Sequence, residues 1–168
     1  AKAKNKKTSE LRACVMKRTR HDHIVKTLEH MKVKINYITD GDIAGGLTVI
    51  GDNPKNDIYL GIGGGPEGVI VAAALSCLGG QMQGRLILNE DETARAKKLG
   101  IKDFKKKYTI DDIVKGDVIF CASGVTSGDL ANGIKNVTDK FEVTTLALHK
   151  SQNINKTITN KIKKWNHF

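Results

Sequence analysis

The sequence is poor in several features that would mark a protein class. Aromatic residues make up only 5% of it, so it lacks the stacking surfaces that grip single-stranded nucleic acid. Two prolines in 168 residues exclude a proline-rich spacer. Its three cysteines, Cys14, Cys77 and Cys121, are odd in number and show no CxxC spacing. That excludes a disulfide framework. Two of the thiols sit in apolar runs, where a buried free thiol is the expectation, and such usage points to a reducing compartment. The longest apolar run, residues 69–78, is too short to span a bilayer and is broken by Ser76. No signal-peptide pattern opens the chain. The expectation is a cytoplasmic protein with no membrane partner.

What is present is ordinary for a globular protein. An apolar content of 39%, a charged content of 27% and a length of 168 residues suit one domain with one sizeable core. Seventeen glycines foretell many tight turns. The balance of 28 basic to 18 acidic residues leaves a formal charge of +10, which would suit an anionic partner. The cations crowd the two ends, from Lys2 to Arg20 and from Lys156 to Lys164. A nucleic acid would call for aromatics among them, so no nucleic-acid partner is expected. A phosphorylated small molecule needs only two or three cations, and the others read as a solvated surface. Ala1 and the lysine-rich stretch after it resemble the tail of a helix, so the chain is expected to be preceded by further sequence.

Apolar spacing alternates between strand-like and helix-like runs. Residues 11–16 read as a strand that ends at Lys17-Arg18-Thr19-Arg20, and residues 21–31 as an amphipathic helix. A second strand, 33–38, ends at Asp40-Gly41-Asp42, before a short glycine-weakened helix at 43–50. A third, 58–62, runs into Gly63-Gly64-Gly65. Pro66 suits a first helical position, and residues 67–78 are apolar enough for a buried helix. Further on come a strand at 85–88, a charged helix at 92–99, and a helix opened by the capping-box pair Thr109 and Asp112. Strands follow at 118–122 and 141–149. Residues 155–165 fit a helix through Ile158, Ile162 and Trp165, but Thr157 and Thr159 also allow a strand. The whole reads as an α/β/α sandwich with a mostly parallel sheet.

In such sheets ligands bind outside the carboxyl ends of the strands. Three of these ends carry unusual residues: Arg18 and Arg20, Asp40 and Asp42, and the stretch from Gly63 to Glu67. Glycines after a strand let backbone N–H groups approach an anion at a helix N-terminus. Gly63, Gly65 and Gly68 also spell GxGxxG, with Glu90 near the distance of a ribose-binding acid, so a dinucleotide-binding module of an oxidoreductase is an alternative. Glu67 argues against it, because a carboxylate in the first helical turn competes with a pyrophosphate for the same amides. An acid at a phosphate-cradling turn makes sense where a divalent cation bridges the two.

These residues resemble a known family. Residues 61–68 followed by an alanine-rich helix, then Cys77-Leu78-Gly79-Gly80-Gln81-Met82-Gln83-Gly84-Arg85-Leu86, look like the signature of class II fructose-1,6-bisphosphatases. Arg18-Thr19-Arg20-His21 and Asp40-Gly41-Asp42 continue the likeness before that stretch, and Ala122-Ser123-Gly124-Val125-Thr126-Ser127-Gly128-Asp129-Leu130 after it. The family belongs to the lithium-sensitive sugar and inositol phosphatases, which have a layered α/β fold.

The resemblance implies hydrolysis of fructose 1,6-bisphosphate to fructose 6-phosphate and phosphate in gluconeogenesis, with Mg2+ or Mn2+ as cofactor and a homo-oligomeric state. Sedoheptulose 1,7-bisphosphate is an alternative substrate. Glu67 matches a metal-binding glutamate of the family, and Gly64 a substrate-contacting backbone position. Arg18, Thr19 and Arg20 match a segment that holds the substrate through its phosphate, a task suited to the planar guanidinium fork. Asp40, Gly41 and Asp42 match the segment contacting the sugar, since ionised carboxylates only accept hydrogen bonds and so suit hydroxyls. Plainer readings stand beside these: surface cations at Arg18 and Arg20, a turn at Asp40-Gly41, an N-cap at Asp42. His21 is expected to support the arginine loop, and His23, His30, His149 and His167 to be structural or superficial. The family usually has proline where Thr19 stands, and the likeness fades past His149. Its other acidic metal ligands and its water-activating threonine lie in an N-terminal half with no counterpart in these residues. This chain is therefore expected to be the substrate-binding half, with the other half as its partner.

Overall fold

Arg12–Met16 (β1) is apolar from Ala13 onward, and all four of those side chains are buried. A strand covered on both sides belongs at the centre of a parallel sheet. The computed structural model, which describes residues 1–164, puts it there: Lys34–Ile38 (β2) and Ile58–Leu60 (β3) pair with it on either side, both parallel. Parallel neighbours require long crossovers, and helices supply them. Asp22–His30 (α1) turns Leu28, Ile24 and Val25 onto Ala13, Val15 and Val33 on one side of the sheet.

Asp42–Leu47 (α2) and Gly65–Cys77 (α3) build the larger core on the other side. Their close approach depends on Gly46, where a Cβ would come within 2.8 Å of Val71 Cγ1. The N-terminal residues are tethered to the sheet through Asp57, whose carboxylate accepts from Lys4, Lys6 and the N–H of Arg12. Lys2–Lys4 forms a single 3-10 turn, where the sequence resembles the tail of a longer helix.

The segment after α3 is peripheral. Gln83–Gly84 (β4) pairs antiparallel with Tyr108–Thr109 (β5), with Glu90–Lys98 (α4) between them. The expected capping box opens Ile110–Ile113 (α5), Thr109 N–H donating to Asp112 Oδ2 at 2.9 Å. The strand expected at 85–88 does not form. Its apolar run, Leu86 to Leu88, finds no partner strand, and Ile87 is left 70% exposed.

A second sheet completes the layers. Ile119–Ser123 (β6), Lys135–Val137 (β7), Lys140–His149 (β8) and Ile154–Lys163 (β9) all pair antiparallel, with β8 in the middle. Phe120 and Leu148 pack on Leu75 and Ala74 of α3, burial worth about 1.5–3 kcal/mol for each large side chain. The order is thus α1, parallel sheet, α2 with α3, antiparallel sheet. The α/β class, the α/β/α sandwich and its parallel sheet stand as expected. The correction is to "mostly parallel": the larger sheet runs antiparallel, because β7, β8 and β9 follow one another through short turns that leave no room for a crossover. The same pairing decides the ambiguous end of the chain. Residues 154–163 are strand, matched along the whole of β8, while Trp165 and His167 lie outside the described residues.

Candidate functional site

The three parallel strands end at one edge, and one buried side chain ties the loops after β1 and β3 together. After β1 the chain makes a 3-10 turn, Thr19–His21, that drives His21 inward until it is 1% exposed. Its Nδ1 lies 2.7 Å from the carbonyl of Met16, so that nitrogen carries the proton and donates. Nε2 then accepts from the N–H of Ile62, 2.9 Å away, in the loop after β3. Arg20 holds the same residue through its carbonyl, its Nε donating to Ile62 O at 2.6 Å. The histidine expected to support the arginine turn thus joins that turn to the glycine loop.

Asp42 is drawn to the same place. Gly41 has φ +84, a left-handed turn that glycine adopts without strain, and it is Gly41 that caps α2. Asp42 is the first helical residue, so the N-cap reading of its side chain is corrected. Its Oδ1 instead accepts from the Tyr59 hydroxyl at 2.6 Å. Its Oδ2 lies 3.5 Å from where a Cβ on Gly63 would sit. Burial, together with the Asp42 carboxylate, pushes the Tyr59 hydroxyl well above its ordinary pKa, so it remains a donor to that carboxylate. Gly45 makes the arrangement possible, since a Cβ there would come within 2.9 Å of the Tyr59 ring. Tyr59 was not singled out in the sequence. The only signal was a hydroxyl within an otherwise apolar strand, Ile58–Leu60.

Glu67 stands in the first turn of α3, after Gly64 at the N-cap and with Pro66 at the second helical position. Its carboxylate folds back over the loop so closely that a Cβ on Gly64 would collide with Glu67 Oε2. The helix dipole favours an acid at this position. Arg20, Asp42, Gly64 and Glu67 thus belong to one rim. Arg18, Thr19 and Asp40 lie exposed along the same edge, but the bonds of Arg18 and Asp40 are local: Arg18 Nη1 donates to Lys17 O (3.1 Å), and Asp40 Oδ1 accepts from Gly41 N–H (2.8 Å).

One other reading of the sequence is not built. Glu90 begins α4, a helix that follows a strand outside the parallel sheet, so it does not sit at a neighbouring strand end as a ribose-binding acid would. Asp117, His149 and Ser151 also gather, with Ser151 Oγ donating to Asp117 Oδ2 at 2.6 Å and His149 Nε2 2.7 Å from the same oxygen. A catalytic relay needs the acid and the nucleophile on opposite ring nitrogens. Here one nitrogen faces both, since Ser151 Oγ is 3.3 Å from Nε2. Among the described residues no three His, Cys, Asp or Glu side chains gather to hold a metal ion, and no helix is long and apolar enough to cross a membrane.

The family model described as "Bacterial fructose-1,6-bisphosphatase, glpX-encoded" matches residues 1–162. The chain belongs to that family. Among its curated relatives, the "Fructose-1,6-bisphosphatase 2 class 2" of Escherichia coli is 36% identical over 88% of this chain and 50% of its own length. The "Fructose-1,6-bisphosphatase class 2" of Haemophilus influenzae is 34% identical over 90% and 50%. The "D-fructose 1,6-bisphosphatase class 2/sedoheptulose 1,7-bisphosphatase 2" of Acaryochloris marina is 36% identical over 80% and 43%. The chain spans about half the length of the curated relatives it matches, so within this glpX-encoded family the rim corresponds to part of a longer protein.

Proposed function

We propose that this chain is the sugar- and phosphate-binding part of a metal-dependent phosphatase acting on fructose 1,6-bisphosphate. The observation that carries the reading is the convergence of Arg20, Asp42 and Glu67 on one loop, Ile62 to Gly64, at the carboxyl edge of the parallel sheet. Arg20 commits only its Nε to the protein and keeps its Nη groups for an anion, a geometry suited to bidentate phosphate binding. In this reading Arg20, with Arg18 beside it, anchors the phosphate that is not hydrolysed. Asp42 keeps Oδ2 free to accept a sugar hydroxyl, and Tyr59 fixes the orientation of its carboxylate.

Glu67 suits a divalent cation of the Mg2+ or Mn2+ kind as one ligand of several. It is an oxygen donor, it is exposed, and the space over Gly64 that a side chain would fill is left to it. When bound, such an ion would neutralise the scissile phosphate and assist the attacking water. Water forms the new bond to phosphorus, the bond to the sugar oxygen breaks, and that oxygen takes up a proton. The groups that activate the water are assigned to the half of the family-length protein that this chain does not match. Activity on sedoheptulose 1,7-bisphosphate is a second reading, favoured by the name of the Acaryochloris relative. The three free thiols accord with a cytoplasmic setting.

The test joins this chain to the unmatched half of the E. coli relative, in that relative's order. Phosphate release from fructose 1,6-bisphosphate in Mg2+ or Mn2+ is expected. Arg20→Ala should raise KM about 10-fold or more, from the loss of a charged hydrogen bond worth about 1.5–3 kcal/mol. A folded protein with no turnover overturns the reading, and an unchanged KM removes Arg20 from it.

A further inference from the structure

The parallel sheet stops short of its own rim. β1 and β3 pair as far as Val15 and Leu60. Past that point, among the described residues, no backbone hydrogen bond joins the Thr19–His21 turn to the glycine loop. On the other flank the main chain itself closes the gap, Lys17 N–H donating to Ile38 O at 2.8 Å. Between the turn and the glycine loop the connection passes to side chains. Loops with no ladder between them open at low cost unless something else joins them.

Arg20 and His21, consecutive in that turn, divide the two backbone groups of a single residue. His21 Nε2 lies 2.9 Å from Ile62 N and 3.0 Å from Ile62 O. Arg20 Nε already supplies that oxygen with a donor at 2.6 Å, which leaves the Ile62 N–H to the imidazole. A neutral ring has one proton to give. Nδ1 commits it to Met16 O at 2.7 Å, so Nε2 is the acceptor that the N–H needs. Gly63 and Gly64 follow Ile62 directly, and Glu67 stands in the first turn of α3 just beyond them. On the other flank, a Cβ on Gly61 would sit 3.6 Å from His21 Nε2 and 3.4 Å from the Tyr59 hydroxyl. The ring therefore meets the rim where its loops come closest.

We propose that His21 is a positioning residue for hydrolysis at this rim: its Nε2 fixes the spacing between Arg20, which anchors one phosphate, and the glycine loop, which carries Glu67 toward the other. The inference rests on the reading of the chain as part of a phosphatase acting on fructose 1,6-bisphosphate. At 1% exposure the ring touches no substrate and acts through the two loops it joins. A bisphosphate is gripped at both ends, so its reacting end is placed only as well as the two grips are placed against each other. A misplacement of about 1 Å can cost about 100-fold in rate. A histidine that only filled space would need no acceptor toward the loop, whereas this role depends on Nε2 and not on Nδ1.

Two variants separate the two nitrogens. Asparagine sets its amide where Nδ1 lies and can still donate to Met16 O, but it is too short for Ile62. Glutamine reaches as far as Nε2 and can still accept from the Ile62 N–H, but it gives up Met16 O. Each loses one bond of the ring, so His21→Asn and His21→Gln should lower the melting temperature of this chain by similar amounts. Exchange of the Ile62 amide, read by NMR in this chain, should quicken about 10-fold or more in His21→Asn and about 3-fold or less in His21→Gln. In the joined family-length protein, kcat/KM for fructose 1,6-bisphosphate should fall about 10-fold or more in His21→Asn and stay within about 3-fold in His21→Gln. Equal kcat/KM in the two variants overturns the proposal, because catalysis would then follow stability alone. The wild type gives a readout that no misfolded variant can spoil. The nitrogen resonances of its His21 ring should show Nδ1 protonated and Nε2 bare, and the reverse also overturns the proposal. A folded joined wild type with no turnover sinks the substrate reading instead, and the Ile62 exchange contrast still decides whether His21 holds the loop.

Discussion

Polar side chains are buried at the edge of the parallel sheet, whereas apolar ones are exposed across one side of the antiparallel sheet. In the first region His21 is all but inaccessible, and both of its ring nitrogens are engaged. Tyr59 likewise finds a carboxylate for its hydroxyl. In the second, Ile119 is 69% exposed and Ile162 48%. Paired buried polar groups fix a geometry, since any rearrangement leaves a group without its partner. Exposed apolar groups fix no geometry and gain free energy when something covers them. The difference separates a part of the molecule shaped for positioning from a part shaped for association.

The sharpest way to break this comparison is to remove one side chain from each region. His21→Ala leaves Met16 O and the Ile62 N–H without partners and opens a cavity. At about 1–3 kcal/mol for each orphaned group, the loss should exceed about 3 kcal/mol in urea unfolding of this chain. Ile119→Ser should change the same measurement by less than about 0.5 kcal/mol, as expected of a surface site. Comparable losses would mean that the open side is not open.

Tyr59→Phe sharpens the first half of the comparison. It removes one hydrogen bond and keeps the ring against Gly45, so stability should fall by only about 1 kcal/mol. In the family-length protein the freed Asp42 should raise KM for the bisphosphate by more than that loss explains. A change in melting temperature without a change in KM would make Tyr59 a packing residue only.

The smallest effect belongs to Asp117, at the end of the antiparallel sheet. Hydrogen bonds from Ser151 and His149 hold its carboxyl well below the usual carboxylate range. A depressed folded-state pKa adds stability above the unfolded value, and that stability is lost as the pH falls through the folded value. Between pH 7 and pH 3 the urea midpoint should therefore fall slightly more in the wild type than in Asp117→Asn. Equal slopes would show that the cluster contributes nothing measurable.

These contrasts also explain what was legible in the sequence. Arg12–Met16, the α1 spacing and the Gly63–Gly65 turn announce themselves, because one strand buried on both sides and one amphipathic helix leave periodic patterns. Arg20, Asp42 and Glu67 stand out as charges at strand ends. His21 is legible only as a support of the arginine turn, through the motif it belongs to; its bond to Ile62 is not, since a histidine reads alike whether it bridges two loops or faces water. The end of the chain was ambiguous for a related reason. Ile158 and Ile162 are four apart, a spacing shared by one helix face and one strand face, and only pairing with β8 settles it. Residues 85–88 failed in the opposite sense. Leu86-Ile87-Leu88 is a strand-like apolar run, but no neighbouring strand runs beside it.

The His21 bridge also bears on the order in which the molecule assembles. His21 and Ile62 are 41 residues apart in the chain, and their bond closes only after both crossovers have brought β2 and β3 to the flanks of β1. The entropy of those closures has to be overcome before the bridge returns anything. The rim is thus a late arrival in folding and an early departure in unfolding. An anion held between Arg20 and the glycine loop would act mainly on the departure, lengthening the life of the folded chain while leaving its rate of formation nearly unchanged.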